Sequence, residues 1–128
     1  MSDAIGVVRK LFETLEREGT IESILEFMHP EVEWLDTVVT GSKLHGHDGF
    51  IEAMTNLEGE GYEGEARPEG FDELDEHSVI ARGVTRLSTA TSYTDLPAFW
   101  AFEVRDGKIA RGATATRRDE ALAAIGRA

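Results

Sequence analysis

Cysteine is absent from the 128 residues, which removes disulfides and thiolate chemistry and leaves His, Asp and Glu as the side chains from which a metal site would be built. A chain without cysteine suits a reducing compartment. Nowhere do 18 apolar residues run together, so no segment reads as a membrane-spanning helix. The opening MSDAIGVVRKLF also lacks a basic stretch, an apolar run and a small-residue cleavage site, so no secretory leader is expected. The expectation is a soluble, cytoplasmic protein with no membrane partner. Basic residues are scarce as well: residues 1–76 hold 20 acids against 5 bases, while 77–128 hold 5 acids against 8 bases. With a formal charge of −12, nucleic acid is not an expected partner. No glycine loop of the phosphate-cradling kind occurs, and with no thiolate set either, no metal or organic cofactor is expected.

What is present suffices for one core. With 41% hydrophobic residues, the chain is long enough to bury one interior and too short for two ordinary domains. Residues 1–128 therefore read as a single domain. Ile5, Val8, Leu11, Phe12 and Leu15 are spaced for one face of a helix that Ser2 or Asp3 caps and Gly19 stops. Thr20 caps a second helix, whose Ile21, Ile24, Leu25 and Met28 fall at i, i+3, i+4 and i+7 and which Pro30 ends. Thr40 to His47 reads as a loop. Asp48 then caps a third helix carrying Phe50, Ile51, Met54 and Leu57, closed by Gly59 and Gly61.

From Gly61 the period changes to two. Tyr62 to Phe71 is polar and holds Pro68, the mark of an edge or bulged strand. An acidic turn over 72–77 follows. Val79 to Ser88 alternates, and alternation alone does not say which side faces the core. Ala98–Arg105 and Lys108–Thr116 are joined by Asp106-Gly107, a strong hairpin signal, with Trp100, Phe102 and Val104 on one face. Asp119 to Ile125 reads as a short capped terminal helix. The layout is α+β: a curved antiparallel sheet wrapped around three helices, with a short C-terminal helix.

The stretch with chemical promise is Val32-Glu33-Trp34-Leu35-Asp36-Thr37-Val38. A strand period puts Val32, Trp34, Asp36 and Val38 on one side. A carboxylate beside an indole on an apolar face is either wet at a strand end or desolvated, and desolvation is how carboxylates are tuned into general bases. Other candidates have plainer readings. His45 and His47 flank Gly46 before Asp48, but Asp48 serves better as a helix cap and two alternate histidines form only part of a metal shell. Arg82 and Arg86 share one strand face; inward they would meet an anionic ligand or Asp36, and outward they are surface or interface charges.

Three pieces of the sequence, EREGTIESILEFMHPEVEWLD, LHGHDGF and FWAFEVRDGKIARGATATRRDEALAAIG, resemble in order and spacing the SnoaL-like group of the nuclear transport factor 2-like superfamily. That superfamily includes ketosteroid isomerases, polyketide cyclases and limonene epoxide hydrolases. The resemblance covers essentially the whole chain. It implies a cone-shaped α+β barrel with an apolar pocket between sheet and helices, and a homodimer formed through the outer sheet face. It also places Asp36 where ketosteroid isomerases keep their proton-moving aspartate. The isomerase oxyanion donors do not follow, because Phe12 stands at the place of the first and Trp100 or a neighbour at that of the second, and each such donor is worth roughly 2.7–4 kcal/mol. Steroid isomerisation is accordingly not expected. The epoxide hydrolase pattern needs Arg-x-Asp on a strand, whereas Arg105 and Asp106 are adjacent at a turn.

Two functions of different class follow. In the first, a small apolar polyketide-, terpenoid- or steroid-like molecule enters the cone and Asp36 moves a proton in an isomerisation, cyclisation or hydrolysis. Phe12, Trp34, Trp100 and Phe102 then form the wall, and Thr114, Thr116 or Tyr93 orients the molecule. Gly112, Thr114 and Thr116 give the last strand one small, polar face that leaves room for a ligand. In the second, the chain is a non-catalytic ligand-binding or dimerisation module.

Overall fold

The structure, a computed structural model, describes residues 4–38 and 41–127. Helix α1 spans Ala4–Arg17 and buries Ala4, Val8, Leu11 and Phe12. Its end is set by Gly19 at φ 63°, a left-handed conformation that costs glycine little. The proposed caps Ser2 and Asp3 lie outside the described residues. Thr20 caps α2 (Ile21–Leu25) as expected, its hydroxyl accepting from the Ser23 N–H at 3.3 Å. The second helix is shorter than its apolar spacing suggests. Met28 does not extend it but opens strand β1 (Met28–Asp36), where it pairs with Ile109. The competing partner is the late hairpin: Ile109 N–H donates to Phe27 O at 2.8 Å and Lys108 Nζ to Glu26 O at 2.9 Å. Those bonds take up the backbone of the segment that would otherwise have been the helix's last turn. Pro30 sits inside β1, where the pairing register shifts between Met28 and Glu33, a position compatible with its missing N–H.

Within the segment expected to be a loop lies a short strand, β2 (Ser42–His45), antiparallel to β1. Helix α3 follows directly over Gly46–Gly59. It begins earlier than expected, so Asp48 occupies its first turn rather than its cap, and its carboxylate favours the positive end of the helix dipole from there. Ile51, assigned to the apolar face, is 42% exposed.

The remaining strands are β3 (Glu63–Glu73), β4 (Ser78–Ser88), β5 (Tyr93–Arg105) and β6 (Lys108–Ala115). Sheet order is β2-β1-β6-β5-β4-β3. β1 and β6 run parallel and the other neighbours antiparallel. The curved sheet is open, with β2 and β3 as its edges. β3 carries Pro68 and a register shift between Pro68 and Gly70, so the expected bulged edge strand is present. The β5–β6 turn places Asp106 at φ 53° and Gly107 at φ 77°, the double positive φ of a tight hairpin turn.

The two sheet faces bury different clusters. On the concave face, Val8, Leu11 and Phe12 of α1 and Phe50 of α3 pack on Val32, Trp34, Val79, Ala81, Trp100 and Phe102. On the convex face, Ala121 and Ile125 belong with α4 (Arg118–Ala124) to a smaller cluster with Ile80, Ala101 and Ala115. Ion pairs of Arg118 with Asp72 and of Arg127 with Asp75 tie α4 and its end to the β3–β4 region, and Arg111 Nη2 donates to Ile125 O at 2.8 Å.

Gly112 is a tight point on the concave face. A Cβ built there would run into the six-membered ring of Trp34 and the Ala101 carbonyl. Gly112→Ala should therefore force Trp34 off its site and lower stability by roughly 1–3 kcal/mol, the usual range for overpacking. Urea unfolding of the two proteins measures it; an unchanged midpoint would show that the indole has room to move.

Candidate functional site

Strand alternation in β1 behaves as the sequence suggests, with Val32, Trp34 and Asp36 buried on the concave side. Asp36 is 7% exposed. Pairing across the sheet aligns it with Thr114, Trp100, Ala81 and Phe71 in a single row. As the chain leaves β1, Asp36 Oδ1 accepts the Val38 N–H at 2.9 Å, a local turn that fixes the carboxylate's direction. Thr114 is held from two sides. Its Oγ1 accepts the Trp34 indole N–H at 3.0 Å, and its carbonyl accepts the Thr37 N–H at 2.9 Å. A hydroxyl that accepts from an indole still has its own proton to donate.

The aromatic residues expected to line a pocket are brought together, but against one another. Phe12 stands edge-on to Trp100, Phe71 and Phe102, with centroids 5.2, 5.7 and 5.9 Å away. Trp34 meets Phe102 at 5.4 Å and Phe50 at 6.0 Å. Contacts of this geometry are worth about 0.5–1.5 kcal/mol each beyond area burial. The space that the small residues of the last strand leave is taken by the Trp34 ring over Gly112. Phe12, Trp34, Trp100 and Phe102 thus pack as core.

Open space lies to the side. A cleft of about 710 Å³ separates α1 from β3, with Phe12, Leu15, Ala66, Pro68 and Phe71 among its walls and Arg9, Glu13, Glu16, Glu63, Glu65 and Arg67 around them. It meets the aromatic cluster at Phe12 and Phe71. Sequence reading did not assign Phe71 to the site. The bulge after Pro68 resets the alternation of β3 and brings Phe71 opposite Ala81, a shift that an irregular strand conceals. A smaller cleft, about 290 Å³, is lined by His29, Glu31, Glu33, Arg105, Ala110 and Arg111. It uses β1 residues other than the buried Val32, Trp34 and Asp36.

Several expected ligand contacts are elsewhere. Thr116 is exposed beyond the end of β6, and Tyr93 is 61% exposed. Neither adjoins Asp36 in the sheet, because Tyr93 pairs with Ser88 at the far end of β4. Arg82 and Arg86 alternate with the buried Ala81 and Thr85 and so take the convex side. Arg86 makes a two-pronged bond to Asp95, 2.7 and 2.9 Å, and lies 3.9 Å over the Tyr93 ring. The hydrogen bond to Asp95 raises the Arg86 pKa, and the same bond lowers that of Asp95. His45 faces Glu31 at 3.2 Å, and His47 Nε2 is 3.1 Å from Met28 O. Among the described residues no group of three or more His, Asp or Glu is arranged to hold a metal ion.

The joint between Trp34 and Thr114 can be tested on its own. Thr114→Val keeps the volume but leaves a buried indole N–H without its acceptor, so a loss of roughly 1–3 kcal/mol is expected. Thr114→Ser, which keeps the hydroxyl, should lose less. Denaturant titrations of the three proteins measure the difference, and a valine variant as stable as the serine variant would contradict the role assigned to this bond.

Comparison with known proteins agrees with this architecture. The family model of the SnoaL-like domain matches residues 8–112. No curated protein matches the chain. Among solved structures, a nuclear transport factor 2-like protein of unknown function from Burkholderia pseudomallei is 20% identical, with 98% of each chain covered and a TM-score of 0.77. A candidate polyketide cyclase from Xanthomonas campestris pv. campestris is 23% identical over 95% of this chain and 96% of its own, TM-score 0.74. A Mycobacterium tuberculosis protein solved in complex with estradiol-17β-hemisuccinate is 13% identical over 93% and 97%, TM-score 0.72. At these identities the likeness is one of fold.

Proposed function

The chain belongs to the SnoaL-like domain family of the nuclear transport factor 2-like superfamily, and from that premise we propose that it binds a small apolar molecule on the concave side and moves a proton with Asp36. The observation that carries this reading is a buried carboxylate with a fixed direction, in the same cross-sheet row as a threonine hydroxyl. The polyketide-cyclase and steroid-bound relatives support an apolar, carbonyl-bearing ligand of polyketide, terpenoid or steroid kind. Proton transfer by a positioned carboxylate contributes typically about 10²–10⁴-fold.

The chemistry is simple in outline. The Asp36 carboxylate takes a proton from carbon beside the ligand's carbonyl, and the electron pair of that C–H bond moves onto the carbonyl oxygen as an enolate. The Thr114 hydroxyl donates a hydrogen bond to that oxygen. Return of the proton to another carbon gives isomerisation, whereas attack of the enolate carbon on a second carbonyl of the same molecule forms the new C–C bond, turns that carbonyl into an alkoxide and gives cyclisation once the proton held by Asp36 passes to the alkoxide. One hydroxyl is a weaker oxyanion partner than a pair of short bonds, which suits carbonyl compounds that already enolise readily.

A specific observation favours the second reading, a binding module without catalysis: the rings of Phe12, Trp34, Trp100 and Phe102 already pack on one another. Deuterium exchange at the central carbon of simple 1,3-diketones, followed by NMR, separates the two. The catalytic reading expects exchange accelerated by the native protein and lost in Asp36→Asn, which keeps the shape of the side chain. Equal acceleration by both proteins, or by neither while ligand still binds, assigns the module reading.

The proposal extends to assembly. The convex face beyond α4 presents Val84 and Pro97 beside Arg82 and Arg86, a mixed apolar and charged surface suited to self-association about a two-fold axis. We expect a homodimer through it. Sedimentation equilibrium at micromolar concentration should return twice the 14.1 kDa chain mass, and a single monomeric species would overturn this.

A further inference from the structure

We infer that the α1–β3 cleft is the outer part of the ligand site and that its acidic rim selects molecules carrying a positive charge at the end away from the sheet. This rests on the reading of the concave side as a ligand site, but not on any catalysis by Asp36. Three observations combine. The cleft, about 710 Å³, lies in the range of small-molecule sites, roughly 300–1,000 Å³. Its walls end on Phe12 and Phe71, the same rings that pack against the interior, so an apolar body seated there touches the aromatic cluster directly.

The third observation is the charge around the mouth. Of the two cations, Arg67 is paired with Glu65 at 3.2 Å, and Arg9 lies 4.9 Å over the Phe71 ring. Glu13, Glu16 and Glu63 also line the cleft and have no ion pair among the described residues. The mouth therefore has a surplus of carboxylates on both sides, on α1 and on β3. A protonated amine on an apolar or aromatic frame satisfies wall and rim together. A carboxylate on the same frame meets net repulsion from the rim, where Glu13, Glu16, Glu63 and Glu65 outnumber Arg9 and Arg67.

The test uses three probes on one frame: 1-naphthylmethylamine, 1-naphthylmethanol and 1-naphthoate, titrated by calorimetry into the full chain at low salt. Exposed charges act weakly and are screened by salt, so the amine should bind about threefold or more tighter than the alcohol, and the acid weakest. That preference should collapse towards unity in Glu13→Gln/Glu16→Gln/Glu63→Gln. It should persist in Glu52→Gln/Glu58→Gln/Glu73→Gln, which removes the same charge elsewhere. Ala66→Trp, which fills the cleft from β3, should weaken all three probes together.

Other results overturn the inference. Amine and alcohol binding alike, or no probe binding at millimolar concentration, removes the cleft as a charge-selective subsite. Equal loss of preference in both glutamine triples reduces it to the net charge of the chain. Loss in Asp36→Asn alone moves the selection to the interior carboxylate. The outcome with Asp36→Asn in the exchange experiment bears on catalysis separately, so the two readings fail independently.

Discussion

The concave face depends on one contact, the Trp34 indole lying across Gly112. An indole can lie flat there only because β6 has no side chain at that position, and it stays in one orientation because Thr114 takes its N–H. Trp34 then sets where Phe102 and Phe50 pack, and through Phe102 it sets Phe12. Two residues further along β1 the same alternation delivers Asp36 to the row of Thr114 and Trp100. A buried donor without an acceptor is costly, so the bond that satisfies the indole also fixes β1 against β6. Asp36 is accordingly positioned by packing two residues away as much as by its own bond to Val38.

The strands of this fold were largely legible from the sequence, and so was the face of β1. Trp34 and Asp36 alternate cleanly, and Asp106-Gly107 names its turn. What local pattern could not supply was competition between distant partners. Met28 fits a helix by spacing, yet pairing with Ile109 claims it for a strand. The same holds for β2, which has four residues and one buried apolar side chain, Leu44, and reads as loop until β1 lies beside it.

The site was legible as a set of residues and not as a shape. Phe12, Trp34, Trp100, Phe102, Thr114 and Asp36 do converge, because each sits on an apolar face whose period the sequence displays. Whether converging rings enclose a space or fill it depends on volumes across strands, and Gly112 reads equally as room for a ligand and as room for Trp34. Thr116 and Tyr93 were misplaced for different reasons. The first lies past the strand's last pair, and the second belongs to a strand that starts five residues before the expected Ala98, on its convex side. Phe71 was hidden by the bulge after Pro68.

The bond between Trp34 and Thr114 joins residues 80 apart in the chain. β1 comes before α3 and four strands of the sheet, while β6, its parallel neighbour, comes after them. The strand that carries Asp36 and the strand that carries its neighbour Thr114 are thus far apart in the chain. No fragment ending before β6 holds the site, and neither does one beginning after β1. On a ribosome, where segments fold as they emerge, the carboxylate remains without its threonine until β6 has emerged, so a product truncated before β6 can carry Asp36 but never the arrangement that surrounds it.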